Sequence, residues 1–485
     1  MKRQSIATNG TYTVIAKVYA MIVPILTMPY ILRVLGVVSY GKVSYVQSLI
    51  AYFNLFAMMG ISSYALRECS IVRDNHEKLK EKASQIFTIS LFTTGISFAL
   101  FLLYTVLVAD ARYDYKLYLV FSLMIISNTM MMTWLYSSLE RFDLVAVRDI
   151  IGRTIYLLGC FLLIRNSNDY ILFAIVIVSS LSIIPAIINN IGIWKGVCGI
   201  IPRIYIGKEL KSCVTSVFYL GLLDVGSKLF SASDVIMTKW LVSDNADKAV
   251  GLYNSGILLP LVIEQLVFVI VGVATPRFYK YMGQGDNQNT SQLTNLVSNA
   301  MYLVVVPAVL TCLFFPKQLL FLLGGNEYLP AAHVLQIYSL LLITATAVTI
   351  AGTRTYVARK KEKKLFKILI TMAMLNIILD VFLIRQWGIS GAATATILSN
   401  VILMIVELSL EHSWNLVFTK DKFVYLGGAA LISLLFLVVK NIWKDLPIAY
   451  FFGCIIVVGV VYMSYLYLVK ESTIMLVLKK LRNNH

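Results

Sequence analysis

The chain has 485 residues, 59% of them hydrophobic and 14% charged, with a formal net charge of +17. Soluble domains carry roughly a quarter charged residues, so this composition excludes a water-soluble globular fold: the surplus apolar surface has to face lipid. The basic residues lie in loops between apolar runs, which argues against a nucleic-acid interface and for the positive-inside rule of membrane proteins.

About twenty apolar residues span a bilayer as a helix, and runs of that length recur along the whole chain. In order they predict an all-α polytopic protein of about fourteen transmembrane helices. The predicted spans are residues 11–32, 42–64, 83–108, 116–139, 150–164, 170–194 and 213–241, then 251–275, 293–315, 331–357, 365–384, 391–411, 423–439 and 448–469. The first run, after Met1-Lys2-Arg3, is too long for a cleaved signal and reads as a membrane helix. All the outside loops are short. Lys and Arg gather in alternate loops, most densely near residues 73–82, 195–211 and 359–367, which predicts that both termini are cytoplasmic.

The basic loop 195–211 divides the first twelve helices six and six. The expected organisation is an N-lobe (1–212), a C-lobe (213–422) and a segment 423–485 with helices thirteen and fourteen and a cytoplasmic tail. An internal echo supports the division. Gly36-Val37-Val38-Ser39-Tyr40-Gly41 follows the first helix, and Val250-Gly251-Leu252-Tyr253-Asn254 follows the seventh. Paired repeats with a site between them are a common transporter plan.

The six cysteines form no C-x-x-C pair and the four histidines are isolated, so neither a metal site nor a cofactor is expected. No Asp-x-Asp loop, long outer loop or nucleophile constellation suggests an enzyme.

Charges inside spans cost roughly 2.5–3.5 kcal/mol each at the bilayer centre and usually face a cavity or a partner. In the seventh span, Gly221, Asp224, Lys228 and Ser231 recur at spacings of three and four, on one helical stripe. Lys228 either attracts an anionic substrate, with Asp224 tuning it, or forms an internal ion pair with Asp224 in a wet cavity. Lys17, in the first span, either points into a cavity or snorkels to the surface. Pro24 and Pro29 can bend that same helix. Asp234, Glu264 and Asp380, the last one turn beyond Asn376, are candidates for carrying a proton or sodium ion, or for interhelical hydrogen bonds. Arg33, Arg67, Arg141 and Arg354 lie at helix ends, as anchors, gating ion pairs or contacts to an entering anion.

Pro29-Tyr30-Ile31-Leu32-Arg33-Val34-Leu35-Gly36 with Tyr40-Gly41 resembles the N-terminal signature of Wzx-type polysaccharide flippases. Gly60-Ile61-Ser62, Arg67-Glu68, Arg73-Asp74, Trp134, Glu140-Arg141-Phe142, Arg148, Arg153, Asp234 and Val250-Gly251-Leu252-Tyr253 follow in order. Near the end, Gly388-Ile389-Ser390-Gly391-Ala392-Ala393-Thr394-Ala395-Thr396 matches the helix 11–12 connection. The chain departs from the pattern at Asp380, where asparagine is usual, and before Glu140, where a glycine is usual.

The resemblance implies the multidrug/oligosaccharidyl-lipid/polysaccharide exporter fold, with two six-helix lobes around a central cavity and two added C-terminal helices. It implies a bacterial inner-membrane flippase that moves an undecaprenyl-pyrophosphate-linked glycan by alternating access, for O-antigen or capsule. The implied partners are the lipid bilayer, a polysaccharide polymerase, a chain-length regulator and a coupling ion, proton or sodium. The alternative is a cation-coupled multidrug antiporter of the same fold, which Lys17 and Lys228 disfavour. Lys17, Lys228, Asp224, Arg67 and Arg354 are expected at the pyrophosphate or cavity, and Asp234, Glu264, Asp380, Arg33 and Arg141 at coupling or gating.

Overall fold

In hydrocarbon every backbone N–H and C=O has to be satisfied within its own segment, and the computed structural model is helical in all its regular elements. It describes residues 6–196, 198–207, 209–352, 362–410, 414, 420–443 and 447–476. Within these, the side chains of residues 222–232 and of some other helix positions are not described. Two compact units emerge, Met1–Gly251 and Leu252–His485.

The first unit holds α1 (Ile6–Met58), α2 (Ile61–Val72), α3 (His76–Leu107), α4 (Ala109–Tyr113), α5 (Tyr115–Met130) and α6 (Thr133–Ser138). It continues with α7 (Phe142–Leu163), α8 (Tyr170–Val178), α9 (Ile184–Trp194), α10 (Leu210–Leu241) and the start of α11 (Ala246–Gly283). The second holds the rest of α11, α12 (Asn287–Phe314), α13 (Pro316–Gly324), α14 (Ala332–Ser339), α15 (Leu341–Ala351), α16 (Glu362–Trp387), α17 (Ile389–Leu410), α18 (Lys420–Ile442) and α19 (Ile448–Leu468).

Eleven helical stretches among the described residues are long and apolar enough to cross a membrane, and the chain is a multi-span membrane protein. One of the eleven includes α1, whose 53 residues would measure ~80 Å as a straight rod, far beyond the ~30 Å hydrocarbon core. The rod is broken at Gly36, with φ 70° and ψ 170°, a conformation that a Cβ would forbid. Residues 6–35 and 37–58 are therefore two spans.

Three helices differ from the sequence expectation. The fifth span begins eight residues before 150, at Phe142, because Arg148, Asp149 and Arg153 hide its first turns from an apolar search but do not stop a helix. The fourth breaks at Met132, which has φ 43°. The tenth is assembled from a 3₁₀ turn (Asn326–Ala331), α14 and α15. Helix starts follow ordinary capping: the Asn75 side chain accepts from Lys78 N at 3.1 Å and Asp286 from Asn289 N at 3.0 Å.

The first unit's core at one end gathers Ile61, Tyr64 and Ala65 of α2, Leu79 and Ile86 of α3, Trp134 of α6 and Val217 of α10. α10 thus packs on α2 and α3, and also on α1. Elsewhere in the unit the two echo segments meet each other through their glycines. A methyl at Gly41 would lie 1.8 Å from the Asp247 carbonyl oxygen, and one at Gly251 would lie 2.0 Å from that of Val37. This is backbone lying on backbone, which only glycine permits.

In the second unit α12 packs on α14, α15 and α18, while α16 and α17 run together as a hairpin. Phe315 meets Phe436 and Phe451 edge to face. Beyond α19 the chain is pinned by Glu471, only 4% exposed. Its carboxylate accepts from Thr473 N (3.0 Å), Ile474 N (2.9 Å) and Asn299 Nδ2 of α12 (3.3 Å). Burial alone would raise this carboxyl, but the backbone hydrogen bonds hold it below the usual range.

Two stability tests follow from these contacts. Gly41→Ala should lose about 1–3 kcal/mol through overpacking, whereas Gly453→Ala, where an added Cβ meets nothing within 4 Å, should be neutral or gain up to ~1 kcal/mol from helix propensity; thermal unfolding in detergent compares them. Glu471→Gln should cost about 1–3 kcal/mol at neutral pH. Because the folded carboxyl titrates below its unfolded value of about 4.3, that contribution is complete above this pH and disappears as pH falls through the lower folded value. The difference in stability between wild type and variant, measured from pH 7 downward, should shrink only in that acid window.

Candidate functional site

We call the face where α1 starts the near face, and the opposite one the far face. Helix ends at the near face of the first unit carry a belt of arginines. Arg73 pairs with Glu140 at 2.6 Å. Arg141 forks onto Asp143, Nε to Oδ1 at 3.0 Å and Nη2 to Oδ2 at 3.1 Å. Arg148, 3% exposed, donates to Asp149 at 3.0 Å and to Thr133 Oγ1 at 3.1 Å. Arg67 binds Glu68 at 3.1 Å and lies over the Tyr64 ring, yet stays 55% exposed. A planar guanidinium that holds a carboxylate in this way can exchange it for a phosphate of similar geometry. Arg67 is the more open of the two predicted arginines, because Asp143 already fills the fork of Arg141.

Lys17 is on the first span of α1 with an exposed side chain, and Arg33 is exposed near that span's far end. Asp224 and Lys228 belong to α10, but their side chains lie outside what is described, and Arg354 lies outside the described residues altogether. Asp234, on the same helix, is 5% exposed, with the Ser233 hydroxyl 3.5 Å away.

In the second unit, Glu264 is half-buried on α11 among Val267, Phe268, Leu342, Ala345, Thr346 and Thr349. The hydroxyls of Thr346 and Thr349 donate to carbonyls of their own helix, those of Leu342 and Ala345. Asp380 and Asn376 are both fully buried on α16. The hairpin partner α17 buries Thr396, Ser399, Asn400 and Glu407, so this helix pair carries a polar interior in an otherwise apolar span. Among the described residues no group of three metal-ligating side chains comes together.

Sequence reasoning missed two features. Glu407, 1% exposed, sits near the end of the predicted span 391–411 and is not among the sequence candidates. The second is a far-face cluster in the first unit. Lys239, 11% exposed, pairs with Asp247 at 2.7 Å and Asp110 at 3.4 Å. The neighbouring Trp240 Nε1 donates to Tyr45 Oη at 3.1 Å, and Tyr45 meets Tyr104 Oη at 2.9 Å. Beside them Lys42 binds Asp114 at 2.7 Å, and Asp114 also accepts from Tyr170 Oη at 2.8 Å. The cluster lines a cleft of about 190 Å³. Lys239 and Asp247 are close enough in sequence to suggest a pair across the α10–α11 turn. Asp110 and Tyr45 are far away in sequence, and no local pattern signals them.

The family model described as "Polysaccharide biosynthesis protein" matches residues 6–282. A Shigella dysenteriae protein named for O-antigen transport is 22% identical over 405 residues, 79% of this chain and 94% of that protein. A Haloferax volcanii protein named as a low-salt glycan biosynthesis flippase is 24% identical over 259 residues, 51% of this chain and 53% of that one. The lipid II flippase MurJ in its inward closed conformation superposes with a TM-score of 0.70 at 15% identity, covering 95% of this chain and 98% of that one. The multidrug transporter DinF-BH superposes at 0.55 and 16% identity, over 87% and 100%. The fold is thus the one these flippases and multidrug transporters share, and the chain belongs to the polysaccharide biosynthesis protein family.

Proposed function

We propose that the chain flips an undecaprenyl-pyrophosphate-linked oligosaccharide from the cytoplasmic to the outer leaflet of a bacterial inner membrane, for surface polysaccharide such as O-antigen or capsule. It is a transport protein and not an enzyme. The observation that carries the reading is the family match over residues 6–282, together with near-full-length relatives named for glycan transport. The chemistry of the chain supports it. Cations at Lys17 and Lys228 suit a pyrophosphate, and the exposed guanidinium of Arg67 suits its capture at the near face.

In this reading residues 1–212 and 213–422 form two lobes, the chain crosses the membrane fourteen times, and both termini are cytoplasmic. The lobes alternate between inward and outward access. The far-face cluster around Lys239 ties α10 and the start of α11 to α4, so release of the glycan on that side requires its ion pairs to break. Asp234, Asp380 and Glu264 couple the movement to a proton or sodium gradient. Arg33 and Arg141 act at helix ends in gating, and Arg354 near the substrate. A polymerase and a chain-length regulator receive the flipped unit.

A second reading, cation-coupled drug export on the same fold, is favoured by the buried carboxylates Asp234, Asp380 and Glu407. The two readings separate in a strain that depends on this protein for surface polysaccharide. There, Lys17→Ala and Lys228→Ala should each cut polysaccharide export at least about tenfold, the factor for ~1.4 kcal/mol of lost binding, while Lys228→Arg keeps most of it. Export unchanged by both alanines, with lowered drug resistance, would favour the second reading. In proteoliposomes, Asp380→Asn should abolish the acceleration that an imposed proton or sodium gradient gives to transport. Acceleration equal to wild type would remove Asp380 from coupling.

A further inference from the structure

The segment joining α9 to α10 makes an unusual attachment. Residues 201–206 belong to no helix. Arg203 N donates to Ser84 Oγ at 3.0 Å and Tyr205 N to Thr88 Oγ1 at 2.8 Å, so the segment lies along α3. The His76 ring holds the Gly199 carbonyl and starts the attachment one turn of chain earlier. Arg203, Ile204 and Ile206 of the segment are exposed, and Pro202 is buried.

The position along α3 fixes the depth. The last charge at the start of α3 is Lys82, and no charged residue follows within the helix. Ser84 and Thr88 therefore mark the first turns of its apolar stretch, with Thr88 ~9 Å beyond Lys82 at the helical rise. Ile204 is 71% exposed and Ile206 is 93% exposed at this level, where interfacial elements insert ~5–10 Å into the headgroup and acyl boundary. Two exposed cations flank the isoleucines, Arg203 on the segment and Lys195 at the end of α9. Neither side chain makes an ion pair among the described residues.

We propose that segment 201–206 is an interfacial anchor for anionic phospholipid, with Ile204 and Ile206 in the acyl boundary and Arg203 and Lys195 on lipid phosphates. Apolar insertion gives the depth. The cations give the preference for an anionic headgroup, each contributing near a charged surface.

The test uses the full-length protein in lipid nanodiscs. Cys454 is the one cysteine that is not buried, so Cys454→Ser gives a quiet background for a nitroxide on Ile206→Cys, with Ile204→Cys as a second site if the first folds poorly. Collision with oxygen and with a water-soluble nickel chelate reports depth. In discs containing phosphatidylglycerol the label should favour oxygen, whereas a label at the exposed Gln288→Cys should favour nickel. Adding Arg203→Ala and then Lys195→Ala should shift the ratio of docked to free spectral components toward free by about fivefold per residue, and pure phosphatidylcholine should do the same to the unaltered segment. A nickel-accessible label at both isoleucine positions, as expected for a surface that binds a soluble protein or faces an aqueous vestibule, would overturn the anchor. Equal docking in both lipids would overturn its anionic partner.

Discussion

Hydrocarbon supplies no hydrogen bonds, and this constraint decides most of the architecture. Each span has to close its own backbone pairs, so the chain resolves into helices joined by short turns. The same constraint makes every polar side chain inside a span informative. Serines and threonines answer it by donating to a carbonyl three or four residues earlier, as Thr27, Thr105 and Thr294 do. An ionised carboxylate only accepts hydrogen bonds and cannot donate to a carbonyl in this way, so the burial of Asp234, Asp380 and Glu407 suggests a task.

Charge separates along the membrane normal. Near-face Arg67, Arg141 and Arg148 sit with carboxylates one or two residues away, as Arg141 does with Asp143, while Arg73 reaches Glu140 from another helix end. Far-face lysines reach acids on other helices, as Lys239 does with Asp247 and with the sequence-distant Asp110. The first arrangement stabilises individual helix ends and can be exchanged for an incoming anion. The second ties separate helices together and has to be broken for them to part. A transporter that loads an anion on one side and discharges it on the other is served by this asymmetry.

Much of the fold is legible in the sequence because lipid imposes length and hydropathy on every span. The reversal at Gly36, the break after α1 at Gly60 and the hairpin of α16 and α17 all follow turns that stand out as small residues between apolar runs. What is not legible depends on contacts between distant residues. The early start of α7 is masked by Arg148, Asp149 and Arg153, whose charges resemble a loop. The Tyr45–Trp240 hydrogen bond joins residues almost two hundred positions apart. Of the candidate site, the sequence identifies the residue types inside the spans, since charge there is rare. It does not distinguish Arg67, which remains open, from Arg141, whose fork is already filled.

The meeting of Gly41 and Gly251 has a consequence for how this part of the chain can vary. Each glycine sits against the other segment's main chain, at Asp247 and at Val37, so a side chain at either position has no neighbour that can swing aside. Variation here is coupled: a larger residue on one helix is accommodated only if the whole backbone of the other moves. Redesign of the protein would therefore best leave these two positions alone and alter side chains elsewhere.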